Sequence, residues 1–268
     1  MNGRVPFSSR SALALVAGVV LMAASPRLGS PQMSGPGMAT QPAAALPFNA
    51  GEVAAYGVSF GILHVGNGSM TLTAGDTVRG HSVWHAVFVM NGGTLFFKVR
   101  DRIESWFDVG TLSSLRFSQK LHEAGYRADR LFEIYPERAT YQQRDKSERP
   151  SVPAPLDDAS FLYFIRTLPL ELGHRYEFRR YFQPEGNPVV IRVVRRERVT
   201  VPAGTFDAVV VQPQITTQGI FSEKGHAEVW ISTDPSHVIL QVKSQLAFGS
   251  INLYLSRFTR GAGGTAAR

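Results

Sequence analysis

The 268-residue sequence contains no cysteine. That excludes disulfides, a disulfide-linked partner, thiol nucleophiles, zinc–thiolate sites, iron–sulfur clusters and a lipidated N-terminal Cys. Charged side chains are sparse at 18%, while apolar ones reach 44%, a globular composition that excludes wholesale disorder. The longest hydrophobic run, Ser11–Ala24, is 14 residues. A bilayer span takes about 20 residues, so a polytopic membrane protein is excluded as well. The usual enzyme signatures are missing: there is no G-x-S-x-G elbow, no G-x-x-x-x-G-K-[ST] loop and no H-E-x-x-H. No cofactor and no metal site is expected.

The short run has the makings of an export signal. Arg4 and Arg10 precede it, and Ala24 and Ala45 offer cleavage positions. The expected location is the periplasm, with N-terminal anchoring in the inner membrane as the alternative. No Arg-Arg pair precedes the run, which disfavours the twin-arginine route. Residues 25–45 are rich in Pro, Gly and Ala, hold no aromatic and no acid, and read as a flexible linker. The folded part is expected over 46–258, with a loose Gly/Ala-rich tail at 259–268. Cleavage after Ala24 removes two arginines from 28 basic residues and leaves 26 − 21 = +5 against +7 for the whole chain. Such a mild excess suits anionic headgroups or mere solubility. Nucleic acid is not expected as a partner of an exported chain, whereas a lipid or another envelope component is.

Within the folded part, apolar residues recur every second position. Tyr56, Val58, Phe60 and Ile62 form one such series, Trp84, Ala86, Phe88 and Met90 another, and Val238, Leu240, Val242 and Leu246 a third. Turn signals fall at Gly66-Asn67-Gly68, Ala74-Gly75-Asp76, Asn91-Gly92-Gly93, Pro184–Pro188 and Ala203-Gly204. These predict roughly eleven to thirteen short strands, antiparallel because parallel pairing needs long crossovers. The expected fold is all-β: a single strongly curled sheet or β-barrel-like domain with one short helix, since so many strands curl rather than stay flat. The helix is predicted near Asp157–Leu168. Asp157-Asp158-Ala159-Ser160 caps it, Phe161, Phe164, Ile165 and Leu168 give it an apolar stripe, and Pro169 stops it. It is expected to plug one mouth of the sheet. Val99–Asp108 is ambiguous between strand and helical turn.

Candidate chemistry is thin. His81 and His85 have the spacing of helical metal ligands, but four residues of strand cover about 13 Å, too far for one ion. Arg100, Asp101, Arg102 and Glu104 form a polar cluster that reads either as a surface ion-pair network or as a general acid/base pair. Arg192, Arg196 and Arg198, expected on one face of a strand, form a candidate basic rim for phosphate or carboxylate groups, or a solvated face that deters edge-to-edge aggregation. The 17 Phe, 8 Tyr and 3 Trp exceed what a small core demands, so some could line a cavity.

Several blocks together resemble the bacterial family labelled domain of unknown function 3108. They are Leu46-Pro47-Phe48 leading into Gly51-Glu52, Tyr56–Gly61, Val99–Ser105, Ser160–Tyr163 with Leu170 and Gly173, Pro202–Phe206, and Glu228–Asp234. Pro235-Ser236-His237-Val238 departs from the basic residue and proline expected after Asp234. The resemblance implies an exported envelope protein with a β-rich fold, and it brings no known activity and no catalytic residue. The expected function is non-catalytic binding of an amphipathic envelope ligand or partner. The alternatives are an envelope-polymer hydrolase using Asp101 or Glu104, and a structural interaction module of the envelope.

Overall fold

The computed structural model describes residues 45–93, 98–123, 126–215, 227–246 and 249–261. The predicted signal segment, all but the last residue of the linker, and most of the tail lie outside them. The chain forms β1 (Glu52–Phe60), β2 (Leu63–Val78), β3 (His81–Gly93), β4 (Lys98–Asp108), β5 (Ser114–Glu123), β6 (Tyr126–Tyr135), β7 (Thr140–Gln143) and β8 (Glu148–Pro150). One helix, α1 (Asp158–Phe164), follows. Then come β9 (Arg175–Phe178), β10 (Val189–Val201), β11 (Gly204–Gln214), β12 (Glu228–Ser232), β13 (Ile239–Leu246) and β14 (Gly249–Thr259).

All fourteen strands belong to one antiparallel sheet, ordered β8-β7-β6-β5-β4-β3-β2-β1-β14-β13-β12-β11-β10-β9. The first and last strands pair in its middle, Val53 opposite Thr259 and Val58 opposite Leu253. The sheet curls without closing. Its two edge strands are short, and the chain just beyond them meets at one parallel bridge, Leu156 with Tyr181. There Leu156 N–H donates to the Arg180 carbonyl at 2.5 Å, and Phe182 N–H to the Leu156 carbonyl at 2.9 Å. Short edges tied to neighbouring chain offer little backbone to a foreign strand.

Alternation places Tyr56, Val58, Leu72, Ile103, Phe117, Val211, Val229, Val242, Leu253 and Leu255 on the inner face, where one contiguous core forms. Phe60 is only half-buried and Ile62 is exposed, so the first predicted series ends two residues early, at the β1–β2 turn. Residues 99–108 are strand throughout.

Three predicted turns are strand instead, Asn91-Gly92-Gly93 at the end of β3 among them. Gly66-Asn67-Gly68 lies within β2, because its glycine serves close backbone approach. A Cβ on Gly66 would sit 2.3 Å from the Asn91 carbonyl oxygen, and one on Gly92 would sit 2.3 Å from that of Val65. Ala74-Gly75-Asp76 is a β-bulge in the same strand, where Gly75 has φ +103°. Gly92→Ala is accordingly expected to lower stability by about 1–3 kcal/mol through overpacking, read from urea unfolding.

Helix α1 begins as predicted. The Asp157 carboxylate accepts from Ala159 N–H and Ser160 N–H, both at 2.9 Å, and Ser160 Oγ accepts from Asp157 N–H at 2.9 Å. This reciprocal cap satisfies donors that the first turn leaves open. The helix tightens into a 3-10 turn over Ile165–Thr167 and ends at Leu168, held extended before Pro169. Phe161, Phe164, Ile165 and Leu168 are all buried. The helix therefore plugs the end of the sheet that carries the β4–β5 and β12–β13 turns.

Arg166 pins the plug. It is 2% exposed, its Nη1 and Nη2 donate to the two Glu52 carboxylate oxygens at 2.6 and 2.8 Å, and Nη2 also donates to the Ser236 carbonyl at 2.9 Å. The rings of Phe48 and Tyr163 each lie 5.4 Å from its guanidinium carbon. Bidentate geometry and aromatic faces make arginine suited to this burial.

Candidate functional site

A pocket of about 240 Å³ opens beside the seam. Its floor is aromatic: Phe117 from β5, Phe132 from β6, Tyr141 from β7, and Tyr181 and Phe182 after β9 are all buried there. Phe182 is the hub, 5.3 Å between centroids from each of Phe132, Tyr141 and Tyr181. Strand alternation sends Phe117, Phe132 and Tyr141 inward, and the curl brings Phe182 across the seam to meet them. The rim is charged: Arg130, Lys146, Arg149 and Glu185 line the mouth, with Arg149 Nη2 donating to Glu185 at 3.1 Å.

Besides Glu185 at the mouth, one acid reaches the pocket from the helix. Asp158, the first residue of α1, accepts from Tyr181 OH at 2.9 Å and Gln119 Nε2 at 3.2 Å. Gln119 Oε1 in turn accepts from Arg130 Nη1 at 3.3 Å. Burial raises the Asp158 pKa to about 7 despite the Tyr181 hydrogen bond. Near neutrality the group can therefore donate as well as accept. Behind it, and sealed from solvent, Asp157 accepts from Ser105 Oγ at 2.5 Å, and Ser114 Oγ lies 2.8 Å from Ser160 Oγ. Burial raises the Asp157 pKa to about 6, against the pull of Ser105 and the helix N–H groups. A second depression, wider and shallower at about 540 Å³, lies at the plugged end along Asp108, Pro136, Pro153 and Arg180.

The residues singled out from sequence fall elsewhere. Along β4, Asp101 and Glu104 are three positions apart, so they point to opposite faces. Asp101 is buried and accepts from His122 N–H at 3.1 Å. Glu104 faces outward, bound by Arg102 Nε at 2.8 Å and His85 Nε2 at 3.1 Å. The two carboxylates form no acid/base pair, which corrects the paired-carboxylate reading. Arg100 and Arg102 are exposed on the Glu104 side. His81 and His85 lie on β3 and go to separate acids, Asp108 at 3.5 Å and Asp76 at 3.4 Å. His85 also stacks on Trp106 at 4.3 Å.

The candidate basic rim is divided too. A bulge between Val193 and Arg195 shifts the register, so Arg192 lies opposite Gln212 but Arg196 and Arg198 lie opposite Val209 and Asp207. Arg192 thus shares a face with Arg195, not with the other two. Arg192 donates to Gln214 at 2.7 Å, and Arg195 is bound by Glu228 at 2.6 Å and Glu197 at 3.0 Å. Neither face carries an unbroken arginine stripe.

A β wall curled almost shut, plugged by one helix and notched at its seam, defines a barrel-like protein. In solved structures the chain is similar to a beta-barrel-like protein of domain of unknown function DUF1849 from Brucella abortus. The TM-score is 0.51 at 9% identity, over 80% of this chain and 99% of that one. It is also similar to a candidate lipoprotein from Parabacteroides distasonis (TM-score 0.36, 13% identity, 80% and 98% covered). A candidate exported protein with a YmcC-like fold from Bacteroides fragilis is a further match (0.30, 11%, 80% and 98%). The chain itself belongs to the family described as protein of unknown function DUF3108, whose model matches residues 55–256. No curated protein matches it. No helix among the described residues is long and apolar enough to cross a membrane.

The sequence reading missed the pocket. Asp157-Asp158 was legible as a cap, but nothing in the spacing of Phe117, Phe132, Tyr141 and Phe182 shows that they converge.

Proposed function

We propose that the protein is exported to the periplasm and binds, without catalysis, a small amphipathic molecule of the envelope in the seam pocket. The observation that carries this reading is the pocket's polarity: an aromatic floor facing a mouth with three cations and one anion. An apolar portion fits the floor, and an anionic portion fits Arg130, Lys146 and Arg149. Asp158 and Tyr181 add a hydrogen-bonding point between them. The export reading rests on the run Ser11–Ala24 and the basic residues before it. Partial neutralisation of Arg149 by Glu185 favours a ligand of low negative charge.

Native mass spectrometry of protein recovered from its own periplasm tests this. A co-purifying small molecule is expected, and Lys146→Glu with Arg149→Glu is expected to weaken its retention by about tenfold or more while both exposed sites leave the melting temperature near that of the parent. A ligand-free spectrum from fully folded parent protein would sink the proposal. A structural interaction module is the second reading, favoured by the contiguous core that fills the space inside the sheet.

A further inference from the structure

The end of the sheet opposite α1 carries the β1–β2 turn, and at its tip sit Ile62, 99% exposed, and Leu63, 63% exposed. Among the described residues only two other large apolar side chains, Val109 and Leu172, are exposed, both less so. Single exposed apolar residues are ordinary, but an adjacent pair on a fixed projection is not. The tip is fixed: Gly61 N–H donates to the Ser250 carbonyl at 2.8 Å, and Asn252 Nδ2 donates to the Gly61 carbonyl at 3.3 Å. Leu63 stands three residues beyond Gly66, which pairs with Gly92, so the tip projects about 10 Å past that rung.

Behind the tip, the outer face of β4–β6 carries more cations than acids. Lys98, Arg100, Arg102, Lys120 and Arg127 are all exposed there. Arg102 lies directly opposite Lys120. Like charges set across a ladder are destabilising, so an anionic surface brought against this face is favoured. The acids on that face are Glu104, engaged by Arg102 at 2.8 Å, Asp129, which lies opposite Lys120 and 3.9 Å from Arg144, and Glu133, engaged by Arg79 and Arg116. Two ladder spacings, about 10 Å, separate β2 from β4, so tip and patch can address one plane.

We infer that this end docks on an anionic lipid bilayer, with Ile62 and Leu63 entering the headgroup–acyl boundary and Lys98, Arg100, Lys120 and Arg127 held at the phosphate level. Apolar side chains enter that boundary to a depth of roughly 5–10 Å. Cations at the surface of an anionic leaflet add affinity that salt weakens. This surface is distinct from the seam pocket, and the inference stands or falls separately from it.

Flotation of the full-length protein with vesicles tests it. The N-terminal run is common to every form compared, so differences report on the surface. The parent is expected to partition onto phosphatidylcholine vesicles containing phosphatidylglycerol, and far less onto phosphatidylcholine alone. Ile62→Ser with Leu63→Ser is expected to lower partitioning about tenfold. Lys120→Gln with Arg127→Gln is expected to lower it about thirtyfold and to flatten its dependence on salt. Melting curves matching the parent establish that these exposed substitutions leave the fold intact. Equal partitioning of all three forms, or equal binding to vesicles with and without phosphatidylglycerol, overturns the inference.

Discussion

Glu52→Ala is expected to cost about 3–5 kcal/mol of folding stability, the range for a buried ion pair deprived of one partner. The carboxylate takes both ends of the Arg166 guanidinium, and Arg166 and Glu52 are 2% and 3% exposed. Burial pulls the Arg166 pKa down, but the hydrogen bonds to Glu52 outweigh it and hold the group above its ordinary value. Without Glu52 the cation keeps only the Ser236 and Pro47 carbonyls and two ring faces. The loss should appear as a lower urea midpoint with the plug loosened first, seen as faster amide exchange across α1. Replacing both partners by methionine removes the stranded charge and is expected to recover at least half of the loss. A single-variant cost under about 1 kcal/mol would show that the pair does not pin the plug.

The second large effect is a stability that falls as pH rises from about 5 to 7.5, by about 4 kcal/mol. Asp157 titrates near 3.8 when unfolded, and its burial moves this to about 6 in the folded protein. Between those values the folded state binds the extra proton, so its contribution is fully present below 3.8 and is lost as pH climbs through 6. Asp158, raised to about 7, carries the same sign to slightly higher pH. Glu104, Asp108, Glu228 and Asp234 are shifted downward, so their stabilisation is lost only in acid, below the ordinary carboxylate range. For Asp108 burial opposes the shift, and the Thr111 and Gly110 hydrogen bonds overcome it. A maximum near pH 5 follows. Asp157→Asn keeps an amide oxygen for the cap and should flatten the slope in urea titrations taken across pH. An unchanged slope would mean that Asp157 is not its source.

Much of this architecture was legible in the chain. Alternating apolar residues such as Tyr56 and Val58 identify half-buried strands because side chains change face at every step. Asp157, Ser160, Phe161 and Phe164 identify the helix, since cap and stripe are both local. The pocket was not legible, because Phe117 and Phe182 meet only through the curl, which sums small twists over many strands. Face assignments failed where strands are irregular. One extra residue in β10 moved Arg196 and Arg198 away from the face of Arg192, and periodicity cannot register a bulge that the partner strand decides. Gly66 read as a turn because close backbone approach and tight turning ask for the same missing Cβ.

The pairing of β1 with β14 bears on when the fold can be completed. Val53 and Thr259 are 259 − 53 = 206 positions apart, so the central ladder cannot be completed before the last strand is made. Such distant pairings form slowly. A polypeptide built this way keeps its two halves unjoined until its last strand is available, and only then can the sheet lock.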